Sequence, residues 1–315
     1  MNTLSRTTPN LSPDAFSSMF QALNGLHNRR ALGAILIGMF GGVLLFGIGS
    51  FLAVRLGGLM AFLGGVGLFI ASATGVNAAG ALLMDQAKGQ PQRSIREALR
   101  FGLACIPRFI ALGLALFAAA LAVLIAIAIA YFVCKLPFLG PLLFVAVFPL
   151  SIVAAGLTLC GLLLCLFLVL PAIWEGATIS AAITQALTIV RSRLVESALL
   201  IAVVWLLSLL VSLIVGGVLF GGLMPALGLS ASILGGDGLS SLVGLLQHRR
   251  ELGDAGGVGL GDAVYVVAAE VGGGVLWALA PALPLLVTLF GLNLVYLRVT
   301  EGLGLPQWRA AEPGG

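Results

Sequence analysis

Long apolar runs separated by short polar segments set the pattern of this chain. The runs cover residues 31–53, 56–84, 109–133, 141–174, 198–224 and 271–297. Each is at least as long as the roughly 20 apolar residues that carry a helix across a ~30 Å hydrocarbon layer. Arg55 is the one charged residue between positions 31 and 84, and Leu56-Gly57-Gly58 follows it, so a tight turn between two membrane helices is expected there. Pro137, Pro141 and Pro149 fall at the start of the fourth run. They predict a span near 150–173, preceded by an interfacial or shallowly re-entrant stretch. Pro281 and Pro284 predict a kink in the sixth run. The fold class expected is therefore an all-α integral membrane protein with about six transmembrane helices, arranged as three hairpins.

The polar segments carry a second pattern. Ser12-Pro13-Asp14 reads as an N-cap with proline at the first helical position, and Phe16, Met19, Phe20 and Leu23 follow at i, i+3, i+4, i+7. Before the third run, Ile95, Ala98, Leu99, Gly102, Leu103 and Ile106 repeat that spacing opposite Arg93, Arg96, Glu97 and Arg100. Before the fifth, Ile179, Ala182, Ile183, Ala186, Leu187 and Val190 do so opposite Ser180, Thr184, Gln185, Thr188 and Arg191. Each stretch ends in basic residues: Arg29-Arg30, then Arg108, then Arg191 and Arg193. The organisation this implies is a threefold repeat within a single membrane domain, 1–315, with units 12–84, 91–174 and 175–300. Each unit would be a cytoplasmic amphipathic interfacial helix followed by a two-span hairpin. The apolar face of that helix would rest on lipid and its arginines would sit among anionic phosphates.

Composition agrees with the membrane class: 60% of the 315 residues are apolar, 9% are charged and the mean hydropathy is +1.15. A soluble domain has roughly 25% charged residues, so this chain could not cover a water-facing surface. The first run continues without a small-residue cleavage site, and no secretory signal peptide is expected. The four cysteines (Cys105, Cys134, Cys160 and Cys165) lie in or beside apolar runs without metal spacing and read as small buried hydrophobes.

Charge then orients the chain. With the N-terminus inside, Arg6, Arg29, Arg30, Lys88, Arg93, Arg96, Arg100, Arg108, Arg191, Arg193, Arg298 and Arg309 are cytoplasmic, against Arg55, Lys135, Arg249 and Arg250 outside. That asymmetry predicts a multi-pass protein of the bacterial inner membrane with both termini in the cytoplasm. The sizeable segment outside the bilayer would be a periplasmic loop, 225–262, holding a short helix at 239–250.

Candidate chemistry is sparse. Asp85, Glu175, Glu196 and Lys135 fall at span ends, where a side chain can reach water. Glu270 heads the sixth apolar run, Asn77 and Asn293 are placed more deeply, and the three form the candidate polar intramembrane site. The candidate contacts for lipid headgroups or a partner are Arg93, Arg96, Arg100, Arg108, Arg191 and Arg193. His27 and His248 are expected on opposite sides of the membrane and cannot share a metal. No nucleophile elbow or phosphate-cradling glycine loop is present. Neither a catalytic site, a metal, a cofactor nor nucleic-acid binding is expected. Small residues do form faces: Gly67, Ala71, Gly75 and Ala79 in the second span, with Gly38/Gly42 and Gly217/Gly221 in the first and fifth. They suit close helix packing, within the chain or in a homo-oligomer.

Leu170-Pro171-Ala172-Ile173-Trp174-Glu175-Gly176, followed by Ala182, Ala186-Leu187 and Arg191-Ser192-Arg193, resembles the cytoplasmic signature of bacterial multi-span families of unassigned function. Among these is the membrane-domain family attached to glycerophosphodiester phosphodiesterases. Asp85-Gln86-Ala87-Lys88-Gly89-Gln90-Pro91 stands at the matching place one repeat earlier. The resemblance implies a six-helix membrane module acting as a partner or scaffold. It does not carry over phosphodiesterase activity, because the catalytic domain is not in this chain. The expected function is a non-enzymatic membrane protein that organises membrane lipids, anionic ones in particular, or a membrane-protein partner at the cytoplasmic face. The alternative is a small-solute transporter or channel using broken helices 4 and 6.

Overall fold

Backbone amides in hydrocarbon have no water to bond, so a chain this apolar must satisfy them along its own segments, and helices do so. The computed structural model describes residues 20–136, 140–234, 260–301 and 303–304. Among them are a 3₁₀ helix, Gln21–His27, and six α-helices: α1 Arg29–Leu56, α2 Gly58–Ala87, α3 Ile95–Val133, α4 Gly140–Glu175, α5 Ile179–Leu234 and α6 Leu260–Glu301. No strand occurs among the described residues. Every one of the six α-helices is long and apolar enough to cross a membrane. The chain is thus an all-α multi-pass membrane protein, as its apolar runs lead one to expect. Gly57 alone joins α1 to α2, which is the tight turn expected after Arg55.

Several boundaries differ from the sequence reading. The fourth run does not break: α4 is continuous from Gly140 and contains Pro149. Pro141 stands in its first turn, where no backbone donor is needed, so neither proline stops the helix. The sixth run is likewise one continuous helix containing Pro281 and Pro284. "Broken helices 4 and 6" therefore do not describe this bundle. The loop expected at 225–262 is shorter, because α5 continues through Pro225 to Leu234 and α6 begins at Leu260. The expected helix 239–250 and residues 12–19 of the first amphipathic stretch lie outside the described residues.

The amphipathic stretches also join their spans. Residues 95–106 are the first three turns of α3, which runs on without interruption. Residues 179–192 are joined to the rest of α5 through one non-helical residue, Arg193 (φ −137°, ψ 41°). Their apolar stripes, expected to rest on lipid, face protein through their small residues, while Leu103 and Leu187 stay exposed. Ala98, Gly102 and Cys105 are buried in α3, and Ala182, Ala186 and Ile189 are buried in α5. The residue sizes explain this: a Cβ on Gly102 would lie 2.4 Å from the Thr74 carbonyl oxygen of α2, so this face admits another backbone rather than an acyl chain.

All helices meet at one end, here called the base, where α1, α3 and α5 begin and α2, α4 and α6 end. The contiguous core lies there, built from Ala78, Leu82 and Leu83 of α2, Leu168 and Trp174 of α4, Ala186 and Leu200 of α5, and Leu286 and Tyr296 of α6. Towards the far end, large apolar side chains such as Phe117, Leu124, Leu142, Leu157, Leu213 and Val218 are exposed. Length accounts for the division. At 1.5 Å per residue, the 39 residues of α3 extend about 58 Å, well beyond a ~30 Å hydrocarbon layer. The surplus packs at the base.

One hairpin stays closed along its length. A Cβ on Gly38 would sit 2.6 Å from Gly75 Cα, and one on Gly49 would sit 2.6 Å from Gly64 Cα, so α1 and α2 touch backbone to backbone at two levels. The glycine pair of α5 behaves differently, since Cβ atoms on Gly217 or Gly221 would meet nothing within 4 Å among the described residues. Gly38→Ala or Gly49→Ala should therefore lower stability by about 1–3 kcal/mol through overpacking, while Gly217→Ala should be neutral. Thermal unfolding in detergent checks this, and equal losses at all three positions would contradict the packing described.

Candidate functional site

The polar residues of the base converge on the ends of α2 and α4. Both helices close in the same way. Gly89 (φ 65°) bonds back to Gln86 while Gln90 bonds back to Asp85; Gly176 (φ 109°) bonds back to Ile173 while Ala177 bonds back to Ala172. These are left-handed glycine caps, a backbone state that other residues rarely adopt. Each cap places a charged residue immediately before its glycine, Lys88 on α2 and Glu175 on α4.

Those two residues pair. Lys88 Nζ contacts Glu175 Oε1, with the carboxylate side chain 1% exposed and the lysine 14%. The second carboxylate oxygen accepts a hydrogen bond from the Tyr296 hydroxyl of α6 at 2.7 Å, and Gln185 Oε1 of α5 lies 3.3 Å from that hydroxyl. One buried carboxylate thus ties together α2, α4, α5 and α6. A second ion pair flanks it: Arg93 reaches Asp85 at 3.1 Å, and its guanidinium stacks 4.9 Å above Phe101. Asp85 is 3% exposed. The expectation that Asp85 and Glu175 reach water at span ends is corrected here, because the helices overshoot the membrane and bury both carboxylates in the base.

The neighbouring layer is neutral. Trp174 packs its indole where a Cβ of Gly80 would be, 2.4 Å from its Cε2, and donates Nε1–H to Asn77 at 3.1 Å. Asn293 donates from Nδ2 to the Gly80 carbonyl at 3.1 Å. Asn77 and Asn293, two of the three candidate polar intramembrane residues, therefore knit α2, α4 and α6 into one layer. The side chain of Glu270 lies outside the described residues. Asn28 caps α1 by accepting from the Ala31 amide and donates to Gln86 at 2.7 Å, which fixes the start of α1 against the end of α2.

The six basic candidates separate into two groups. Arg93 is held by Asp85, and Arg193 pairs with Glu196 at 3.2 Å beside the helical break. Arg96, Arg100 and Arg191 are exposed, and Arg108 is half-buried. His27 is exposed near the start of α1, and His248 lies outside the described residues. No group of three or more His, Cys, Asp and Glu side chains that could hold a metal occurs among the described residues.

The sequence reading missed Lys88, Glu175, Tyr296 and Gln185 as a unit. A signal was present in the two helix ends, Lys88-Gly89 and Glu175-Gly176, which set opposite charges at matching positions. The pair is asymmetric in its access to water, and that generates a prediction. Lys88→Met leaves a buried carboxylate without its cation and should cost about 3–5 kcal/mol. Glu175→Gln should cost less, because Lys88 can turn towards water, and adding it to Lys88→Met should recover part of the loss. A double-mutant cycle of unfolding in detergent measures this, and strictly additive losses would contradict the coupling.

Comparison of the chain with protein-family models, with curated proteins and with solved structures finds no match.

Proposed function

We propose that this chain is a non-enzymatic multi-pass protein of the bacterial inner membrane, with its base in the cytoplasm, that organises anionic lipid or a membrane-protein partner through that base. One observation carries the reading. The buried carboxylates Asp85 and Glu175 are already neutralised by Arg93 and Lys88. Arg29, Arg96, Arg100 and Arg191 remain exposed, with no ion pair among the described residues. Glu97 and Glu301 also lie at the surface of the base, but exposed arginines outnumber them there because Asp85 and Glu175 are turned inward.

The orientation follows from the same distribution. Arg29, Arg30, Arg96, Arg100, Arg108, Arg191, Arg193 and Arg298 belong to the base-side parts of their helices and Lys88 and Arg93 to the connection between α2 and α3 there, whereas Arg55 stands at the far end of α1 and Lys135 just beyond that of α3. Lys and Arg favour the cytoplasmic side, so the base and both chain ends go inside. The resemblance to membrane domains of unassigned function, carried by residues 170–193, supports a scaffold role of this kind. Transport has less support, since α4 and α6 are continuous and Asn77 and Asn293 bond to the bundle itself.

Each basic residue near an anionic surface contributes about 1 kcal/mol of attraction. In liposomes, the melting temperature of the protein should rise as phosphatidylglycerol replaces phosphatidylcholine. The variant Arg96→Gln/Arg100→Gln/Arg191→Gln should lose most of that rise while unfolding normally in phosphatidylcholine. A wild-type protein indifferent to anionic lipid, with partner pull-downs unchanged by the triple substitution, would exclude this function.

A further inference from the structure

The exposed arginines are not spread evenly, and their surroundings define a shape. α1 and α3 begin side by side at the base. Arg30 donates to the backbone carbonyl of Gln92 at 3.1 Å and lies 3.5 Å from that of Arg93. A Cβ on Gly33, one turn further along α1, would lie 3.7 Å from Ile95 Cδ1, so the two helices meet there. Arg29, Arg30, Arg96 and Arg100 thus gather at one corner, where Glu97 is the acidic neighbour on α3. Glu97 is itself bound into its helix cap, its carboxylate accepting from the Ser94 amide at 2.9 Å. One first-turn amide of each helix is occupied, that of Ala31 by Asn28 and that of Glu97 by Ser94.

Away from the corner the character changes sharply. On the Arg29–Gly33 face of α1 come Ile37, Phe40 and Leu44, at 51%, 42% and 49% exposure. On the Arg96–Arg100 face of α3 come Leu103, Ile110 and Leu114, at 54%, 51% and 64%. Cationic heads give way to uncovered apolar stripes on both helices, in the same direction along the bundle.

We infer that the α1–α3 corner is a binding site for a phospholipid whose headgroup carries two negative charges. The phosphates would lie on Arg29, Arg96 and Arg100, and the acyl chains would run along Ile37, Phe40, Leu44 and Leu103. Two negative charges match this corner better than one, since four arginines gather there with Glu97 as the exposed carboxylate. Planar guanidinium groups also bind phosphate oxygens in pairs. The inference rests on the basic base of the proposed function but assigns it one location and one ligand class.

The test uses the full chain in nanodiscs of phosphatidylcholine at physiological salt, which screens diffuse attraction beyond about 8 Å. The probes are cardiolipin, phosphatidic acid and phosphatidylglycerol, compared at equal total charge, with retained lipid counted by native mass spectrometry. The two lipids able to carry two charges should bind at least about tenfold more tightly than phosphatidylglycerol. Arg29→Gln/Arg96→Gln/Arg100→Gln should abolish that preference, and Arg191→Gln, on α5, should leave it intact. Leu103→Trp, which crowds the apolar stripe without touching charge, should weaken lipid binding several-fold. Inorganic phosphate at millimolar concentration should not compete.

Equal affinity for all three lipids, or equal loss with Arg191→Gln, would overturn the site while leaving a diffuse basic surface and the proposed function standing. Competition by inorganic phosphate together with an inert Leu103→Trp would show an anion site without lipid character. Absence of any anionic-lipid effect would overturn both readings.

Discussion

A carboxylate removed from water needs a partner, and in this protein the bundle is assembled around that need. Glu175 ends α4 with its side chain 1% exposed, and it is satisfied by Lys88 from the end of α2 and Tyr296 from α6. A buried ion pair contributes little net stability compared with apolar residues of the same size, but breaking it on one side is costly. Its effect is selective. Any register in which α2, α4 and α6 slid past one another by one turn would separate the carboxylate from its cation. Apolar contacts alone discriminate weakly between such registers, because leucine and alanine recur throughout these helices. The glycine caps at Gly89 and Gly176 belong to the same device, since each turns the chain immediately after the charged residue, Lys88 or Glu175.

Fixing the base in this way permits looseness elsewhere. Helices longer than the hydrocarbon layer can bring their ends together in a protein core and then diverge, because lipid solvates their apolar flanks as well as another helix would. Side chains such as Leu142 and Val218, 73% and 70% exposed, would be a severe liability in water and carry no such cost in a bilayer. Where the helices do stay together, the contact is specific. Gly38 with Gly75 and Gly49 with Gly64 close α1 onto α2, and the Ser208 and Thr288 hydroxyls meet at the Pro284 carbonyl between α5 and α6. The bundle is held by a few polar and glycine contacts, with apolar area serving both protein and lipid.

The sequence reveals the elements better than their limits. Apolar runs specify six spans and a turn after Arg55, because hydrocarbon thickness imposes a minimum length that composition either meets or fails. It imposes no maximum, and so the extension of α3, α4, α5 and α6 past the membrane was not legible. Proline misled for a related reason. Pro149, Pro281 and Pro284 each remove one hydrogen bond, a loss that a long helix packed by its neighbours tolerates. The amphipathic stretches were legible as helices but not in their partner: the apolar stripe of Ala98, Gly102 and Ile106 fits lipid or protein equally by hydropathy. Only the small volume of Ala98 and Gly102 hints at close protein contact. Glu175 and Lys88, 87 positions apart, could not be paired without knowing which helix ends adjoin.

The charges themselves show how one composition serves two purposes. In a chain with 16 basic and 12 acidic residues, pairing could have consumed nearly all of them. At the base it is sorted by depth instead. Asp85 and Glu175 point inward and take the cations nearest to them in the fold, Arg93 across a loop and Lys88 across the bundle. Arg96 and Arg100, a few residues on from Arg93 and inside α3, are exposed and meet solvent. The helix boundary separates structural cations from presented ones: Arg93 precedes the Ser94 cap of α3 and reaches back to Asp85, while Arg96 and Arg100 within the helix present their charge outward. Exchanging the inward acids for neutral residues would release Lys88 and Arg93 to the surface without strengthening the fold. Removing Arg96 and Arg100 would leave the fold intact and take away its charge. Interior register and exterior field are thus set by different residues of one short segment, 85–100, and each can be varied while the other is kept.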